Sequence, residues 1–332
     1  MSIPMSEPGP VAPPLAIDYA QAPLAELLGQ DTLAVIGFGS RAPHADDPRV
    51  LRLGLPLLSG SASQAPVLEV WRAGAPVRSG REGDLRWSSD GEHLFFAIEL
   101  DEALHGGIEA AAEHAYRSLR RFIAASPMPH CLRLWNYLDA INQGEGDDER
   151  YRRFCAGRAI GMRDGGEAPF PAATAIGRQD GVRVLQVYGL AGRRPGTPVE
   201  NPRQVSAWRY PRQYGPTAPT FARGMRDADG QLLISGTAAV VGHASRHRDD
   251  LAAQVEETWA NLGSLLQESG VGDPRIGPRT RLKAYLRDPA DAPFVAAALA
   301  SRAPDLGGLL LLGGDICRRE LLVEIDGFQA PP

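Results

Sequence analysis

From Asp229 the chain reads DGQLLISGTAA, two turn residues followed by an apolar run, which is how a strand entered from a turn is written. Leu251, Val255, Thr258, Leu262 and Leu265 then recur at helical spacing and predict an amphipathic helix over residues 250–269. Asp249 and Asp250 suit its positive N-terminal end, and Gly270 suits its termination. RLKAYL from Arg281 alternates like a strand. DAPFVAAALAS, residues 291–301, reads as a second helix with Pro293 tolerated in its first turn. LLLLGG and ELLVEIDGF supply the last two strands. The expected order is β-α-β-α-β-β, preceded by a hairpin, and strands with helices on one face make an α+β sandwich.

The same pattern occurs earlier in the chain. DGEHLFFAIEL from Asp90 aligns with DGQLLISGTAA, and the helical stretch ending at Ser126 aligns with the one ending at Ser269. RLWNYL from Arg133 aligns with RLKAYL, and LQVYGL from Leu185 aligns with VEIDGF from Val323. Four weak matches in one order point to a tandem duplication. The expected division is a disordered proline-rich tail over 1–16, a degenerate first copy over 17–195 and a second copy over 196–332.

The alignment sharpens a question about LLVEIDGF, where Glu324 sits among Leu322, Val323 and Ile325. A buried carboxylate is costly unless it is paired or neutral. Residue chemistry alone leaves two readings open: a strand glutamate paired with an arginine, or a carboxyl kept protonated near neutral pH by apolar surroundings and so able to act as an acid. The first copy has Gln186 at the matching position, which has no proton to give. One acid-bearing site in the second copy, walled by the first, is therefore expected.

Composition narrows the partners. The chain has 332 residues, 43% hydrophobic and 23% charged, with a net charge of −5 and no long basic run, which argues against nucleic acid. No apolar run is long enough to span a bilayer. Three cysteines, Cys131, Cys155 and Cys317, suggest free thiols in a reducing compartment, and the cytoplasm is the expected location. IGFGSRA, residues 36–42, has dinucleotide-site glycine spacing, but Pro43 and Pro48 follow where the site needs a helix. His243 and His247 stand four apart with no third ligand in evidence. Neither a metal nor a cofactor is expected.

LLISG, the helix bearing Gln254 and Asn261, RLKAYLRD and the closing VEIDGF resemble the RidA/YjgF (chorismate mutase-like) fold, whose members form trimers with sites between subunits. LRLWNYLDAIN with ERYRRFCAGRA (132–159), NPRQVSAWRYPRQYGP (201–216), ISGTAAVVGHASRHRDDLAAQVEETWANL (234–262) and ICRRELLVEIDGF (316–328) resemble, more specifically, the chorismatases, a two-copy branch that cleaves chorismate. The resemblance implies that Glu324 is the acid protonating the enolpyruvyl methylene. It also implies that Cys317 goes with 3-hydroxybenzoate as product, where an alanine goes with hydrolysis to a dihydroxycyclohexadiene. Some cysteine-bearing relatives, closest in wording to this chain, also release 4-hydroxybenzoate. Two substrate carboxylates call for cations, with Arg158, Arg223 and Lys283 as candidates; Tyr214 and Tyr137 could donate a phenol, and Asn136 could hold a ring hydroxyl. The rival within this fold, an imine deaminase, uses an arginine where this chain reads GGLLLLGG, 307–314. Either a monomer or a homotrimer is compatible with two fused copies.

Overall fold

A computed structural model describes residues 14–58, 65–163 and 169–332. Of the expected tail, residues 1–13 lie outside the described residues; the chain is already in a strand by Ala16. Residues 17–195, expected as one unit, hold two sheets. The first sheet comprises β1 (Ala16–Ala20), β2 (Thr32–Phe38), β3 (Val50–Leu53) and β4 (Leu68–Arg72), with a single helical turn, α1 (Leu24–Leu27), between β1 and β2. The second contains β5 (Arg78–Glu82), β6 (Leu85–Ser89), β7 (His93–Asp101), α2 (Ile108–Ala125), β8 (His130–Asp139), α3 (Arg150–Met162), β9 (Ala172–Arg178) and β10 (Val184–Gly192). The remainder carries the third, made of β11 (Thr197–Val199), β12 (Gly224–Arg226), β13 (Leu232–Ala238), β16 (Thr280–Leu286), β17 (Gly308–Gly313) and β19 (Val323–Gln329), together with α4 (Leu251–Glu268), α5 (Ala292–Arg302), a separate small hairpin of β14 (Val240–Val241) and β15 (Ala244–Ser245), and the short β18 (Asp315–Ile316).

The duplication is visible in the topology. The second sheet runs β9-β8-β10-β7-β6-β5 and the third β17-β16-β19-β13-β12-β11, with the first pair parallel and the rest antiparallel in each. Register agrees residue by residue: Gln186 lies opposite Tyr137 and Glu99, and Glu324 lies opposite Tyr285 and Ala238. The predicted helix over 250–269 is α4, with Asp250 capping it by accepting from the Ala253 amide at 3.0 Å and Gly270 leaving it at φ 66°.

What the sequence pattern did not announce is a third, helix-poor repeat. The first sheet, β3-β2-β4-β1, has the same order, with β2 and β3 parallel and the other pairs antiparallel. Phe38–Leu53, Tyr137–Ile176 and Tyr285–Leu312 are equivalent parallel pairs, and each is followed by a glycine at 54, 177 or 313. The repeat escapes a helix-based alignment because one turn, α1, and a loop replace the two helices. That loop begins in IGFGSRA: β2 runs into a turn at Gly39 (φ 72°) and no helix follows.

Strand alternation sends one set of side chains of each full repeat under its helices and the other set to a shared centre. In β19, Val323 and Ile325 join the core beneath α4 and α5, while Phe328 points to the centre with Trp71, Trp135 and Tyr188. Chain segments also bridge the sheets. β18, next after β17 in the chain, crosses to join the second sheet at the edge of β9, and residues 56–58, following β3, bond to β17. Gln186 closes the remaining junction, donating to the Arg52 carbonyl at 2.9 Å.

Because all three junctions are made within one chain, we expect a monomer in solution. Light scattering should give about the chain mass of 35.6 kDa; a particle of three times that mass would contradict this reading of the junctions.

Candidate active site

The cleft between the second and third sheets has a cavity of about 520 Å³, a size suited to a small-molecule ligand. Its wall in the third sheet is β13 and β19, carrying Gly236, Ala238 and Glu324; the wall in the second is β9, residues 173–175, with α3 behind it. The segment 203–223 and the turn 317–321 cover the opening.

Glu324 reaches the cleft because β13 bulges. Ile234 pairs with Gly327 and Thr237 with Ile325, so Ser235 and Gly236 oppose Asp326 alone. The backbone at Gly236 is thereby pressed against the carboxyl: a Cβ there would stand 2.0 Å from Glu324 Oε1. Glu324 is 5% exposed, and among the described residues no hydrogen bond holds its carboxyl. Burial pushes it up to about 8, the neighbouring Asp326 charge pushes the same way, and Arg133, Arg223 and Arg318 pull it down without prevailing. The carboxyl is therefore mostly protonated at neutral pH, and the strand-glutamate ion pair is not what forms.

Five of the eight candidate residues line this one cleft: Glu324, Cys317, Tyr214, Arg158 and Arg223. Arg158 and Arg223 are 3% and 5% exposed. Each spends one Nη2 on the cover segment, Arg158 on the Thr220 carbonyl at 2.8 Å and Arg223 on the Val205 carbonyl at 2.8 Å. Nε is unpartnered in both. Arg223 also donates to the Tyr210 hydroxyl at 2.6 Å. Two buried guanidiniums with donors to spare can hold two anionic groups. Burial pushes the Cys317 thiol well above its ordinary value, and the Glu324 charge adds to this, so it is a neutral group in the cleft wall.

The other three candidates are elsewhere. Lys283 is fully buried at the centre, its Nζ 3.0 Å from Glu69 and 3.1 Å from the Tyr188 hydroxyl. The β16 alternation puts it on the central face, where Glu69 neutralises it before a ligand could. Tyr137 meets its repeat partner Tyr285 hydroxyl to hydroxyl at 3.0 Å, as core. Asn136 faces α2 instead, accepting from the Tyr116 hydroxyl at 2.5 Å and donating to the Thr174 carbonyl at 2.9 Å. None of the three lines the cleft.

Arg152, Arg318 and Arg319 also line the cleft, and none of them was marked in the sequence. Arg318 stands over the Tyr214 ring, 3.9 Å from guanidinium carbon to ring centroid, and donates to the His243 carbonyl at 2.8 Å. Two arginines after a cysteine ordinarily read as a solvated face; only the fold of the cover segment turns Arg318 inward. His243 itself is 3.3 Å from the Tyr214 hydroxyl, while His247 goes to Glu257 at 3.1 Å, so the pair shares no ligand position.

The bulge makes a stability prediction. Gly236→Ala must displace either the Glu324 carboxyl or the strand, and an overpacked core site costs about 1–3 kcal/mol. Gly263, on α4 with open space around it, is the control: alanine there is expected to be neutral or to stabilise by up to about 1 kcal/mol. Urea midpoints of the two variants check the contrast, which fails if both move alike.

Comparison with known proteins agrees with this architecture. A family model described as "Chorismatase FkbO/Hyg5-like, N-terminal" matches residues 69–191. A chorismatase of Streptomyces hygroscopicus is 34% identical over 274 residues, 79% of either chain. A 3-hydroxybenzoate synthase of the same species is 32% identical over 318 residues, 90% of this chain and 92% of that one. The crystal structure of a chorismatase superposes with a TM-score of 0.83 at 30% identity, covering 96% of this chain and 98% of the other. With the fold, the repeat register and full-length similarity in agreement, the chain belongs to the chorismatase family.

Proposed function

We propose that the protein cleaves chorismate to pyruvate and 3-hydroxybenzoate, with Glu324 as the proton donor. The observation that carries this is the Glu324 carboxyl, buried in the inter-repeat cleft and pushed up to about 8. Chorismate is a dianion with an enolpyruvyl ether, and its terminal methylene carbon accepts a proton reluctantly. An acid still loaded near neutral pH and free of hydrogen-bond partners is the group that step needs.

In this reading Arg158 and Arg223 take the two carboxylates, with Arg318 and Tyr214 at the cover. Glu324 gives its proton to the methylene, which becomes the methyl group of pyruvate. The ring C–O bond breaks with its electron pair going to the departing oxygen, and the adjacent ring hydroxyl closes on the vacated carbon as an epoxide. That hydroxyl's proton restores the Glu324 carboxyl. Opening of the epoxide with loss of a ring proton completes the aromatic ring. The two products together contain the atoms of the substrate, so no water is consumed. Cys317, small and neutral in the wall, favours this internal displacement over attack by water.

Glu324→Gln is expected to lower pyruvate release by about 10²–10⁴-fold, the usual scale of a lost general acid, while the fold is kept. Release is read with a coupled dehydrogenase and the aromatic product by chromatography; near-normal turnover would remove Glu324 from the role. The acid acts in its protonated form, so kcat/KM should hold below its pKa and fall tenfold per pH unit above about 8. Cys317→Ala should move product toward the dihydroxycyclohexadiene. An unchanged product ratio would separate Cys317 from the outcome.

A further inference from the structure

Away from the cleft, the fold gathers Asp84, His105 and His114 from separate segments. Asp84 is in the turn between β5 and β6, which Gly83 permits at φ 57°. His105 ends a single 3₁₀ turn after β7, and His114 is on α2. One ligand atom from each lies within 4.8 Å of the other two. The two imidazoles are 4.9 Å apart, and His114 Nε2 is 3.8 Å from the Asp84 carboxylate.

Two details separate this group from a chance surface cluster. His105 Nδ1 is 2.9 Å from the Asp101 carbonyl. A carbonyl only accepts, so Nδ1 carries the proton and Nε2 presents its lone pair outward. A bond of that kind to the far nitrogen is what orients a metal-ligating histidine. The surrounding acids, moreover, are already engaged. The Asp101 carboxylate accepts from the Ala103 amide, Glu102 holds Arg150, Glu109 holds Arg153 and Glu113 holds Arg117. Among the described residues Asp84 has no partner but His114, and His105 Nε2 and the His114 ring have no hydrogen bond at all.

We propose that Asp84, His105 and His114 form a binding site for a divalent transition-metal ion of the zinc class. Two neutral imidazoles and one carboxylate are a zinc donor set, with a water completing the tetrahedron. The side chains of Asp84 and His114 are 60% and 47% exposed, free to close the remaining distance to ligand contact. A bound ion would tie the β5–β6 turn to the end of β7 and to α2. That hairpin is the outer edge of the second sheet, where β5 is mostly exposed, so a ligand of the folded form would stabilise it in proportion to its occupancy.

The test uses chelator-stripped full-length protein titrated with zinc ion alone, by calorimetry and by thermal melting. One equivalent should bind and raise the melting temperature. The double variant His105→Ala/His114→Ala should lose both effects, and Asp84→Asn should weaken binding at least tenfold. His243→Ala/His247→Ala should leave both intact. All these substitutions are at exposed or partly exposed positions, so circular dichroism of the apo forms should match the parent. Absence of saturable binding, or an equivalent of zinc that survives in the His105→Ala/His114→Ala protein, would overturn the site.

Discussion

The structure depends on a set of charges buried where the three sheets meet. Asp326 Oδ2 accepts from Arg133 at 3.1 Å, Trp135 at 2.9 Å, Thr174 at 2.7 Å and Tyr285 at 3.0 Å. Lys283 stands between Asp326 and Glu69, and Glu69 in turn accepts from Trp71 at 2.8 Å. Glu69 comes from the first sheet, Arg133 from the second, and Lys283 and Asp326 from the third. Each would be a costly buried charge if its partner moved, since breaking such a pair costs about 3–5 kcal/mol. The network therefore fixes how the sheets sit against one another, and that arrangement is also the geometry of the cleft.

The same constraint sets the acid. Glu324 and Asp326 lie two residues apart on one strand and so share a face. Asp326 is held in place by Arg133, Trp135, Thr174 and Tyr285, and its carboxylate still raises the cost of ionising Glu324, against the opposing pull of Arg133. Burial supplies the larger effect and Asp326 the second. The bulge at Gly236 then leaves room for the carboxyl to lie against backbone with no hydrogen-bond partner to hold it ionised.

Repetition explains why one junction differs from the others. At the position of Glu324 the second sheet has Gln186 and the first has Val67, two residues before Glu69 as Glu324 is two before Asp326. Gln186 is fully engaged, donating to Glu99 at 2.7 Å and the Arg52 carbonyl and accepting from the Gly54 amide at 3.2 Å. Glu99 occupies the place of Ala238, so the amide at the second junction is held by a polar neighbour where Glu324 has only a methyl group beside it. Val67 packs into the central core. A site that needs an unpartnered acid survives only where neither replacement has occurred.

By itself the sequence determined the helices and strands of the second long repeat, the four stretches of the first that match it, and the contrast of Glu324 with Gln186. These are local: periodicity, caps and turn residues write them in contiguous stretches, and a duplicated stretch can be compared with itself. Only the tertiary structure decided that residues 16–72 are a third repeat, because without its helices that segment has no periodic signature to align. It alone decided, too, that Lys283 belongs to the core and Arg318 to the cleft. Both are cations beside apolar strands, and nothing along the chain distinguishes them; Glu69 and Tyr214, far away in sequence, capture one each.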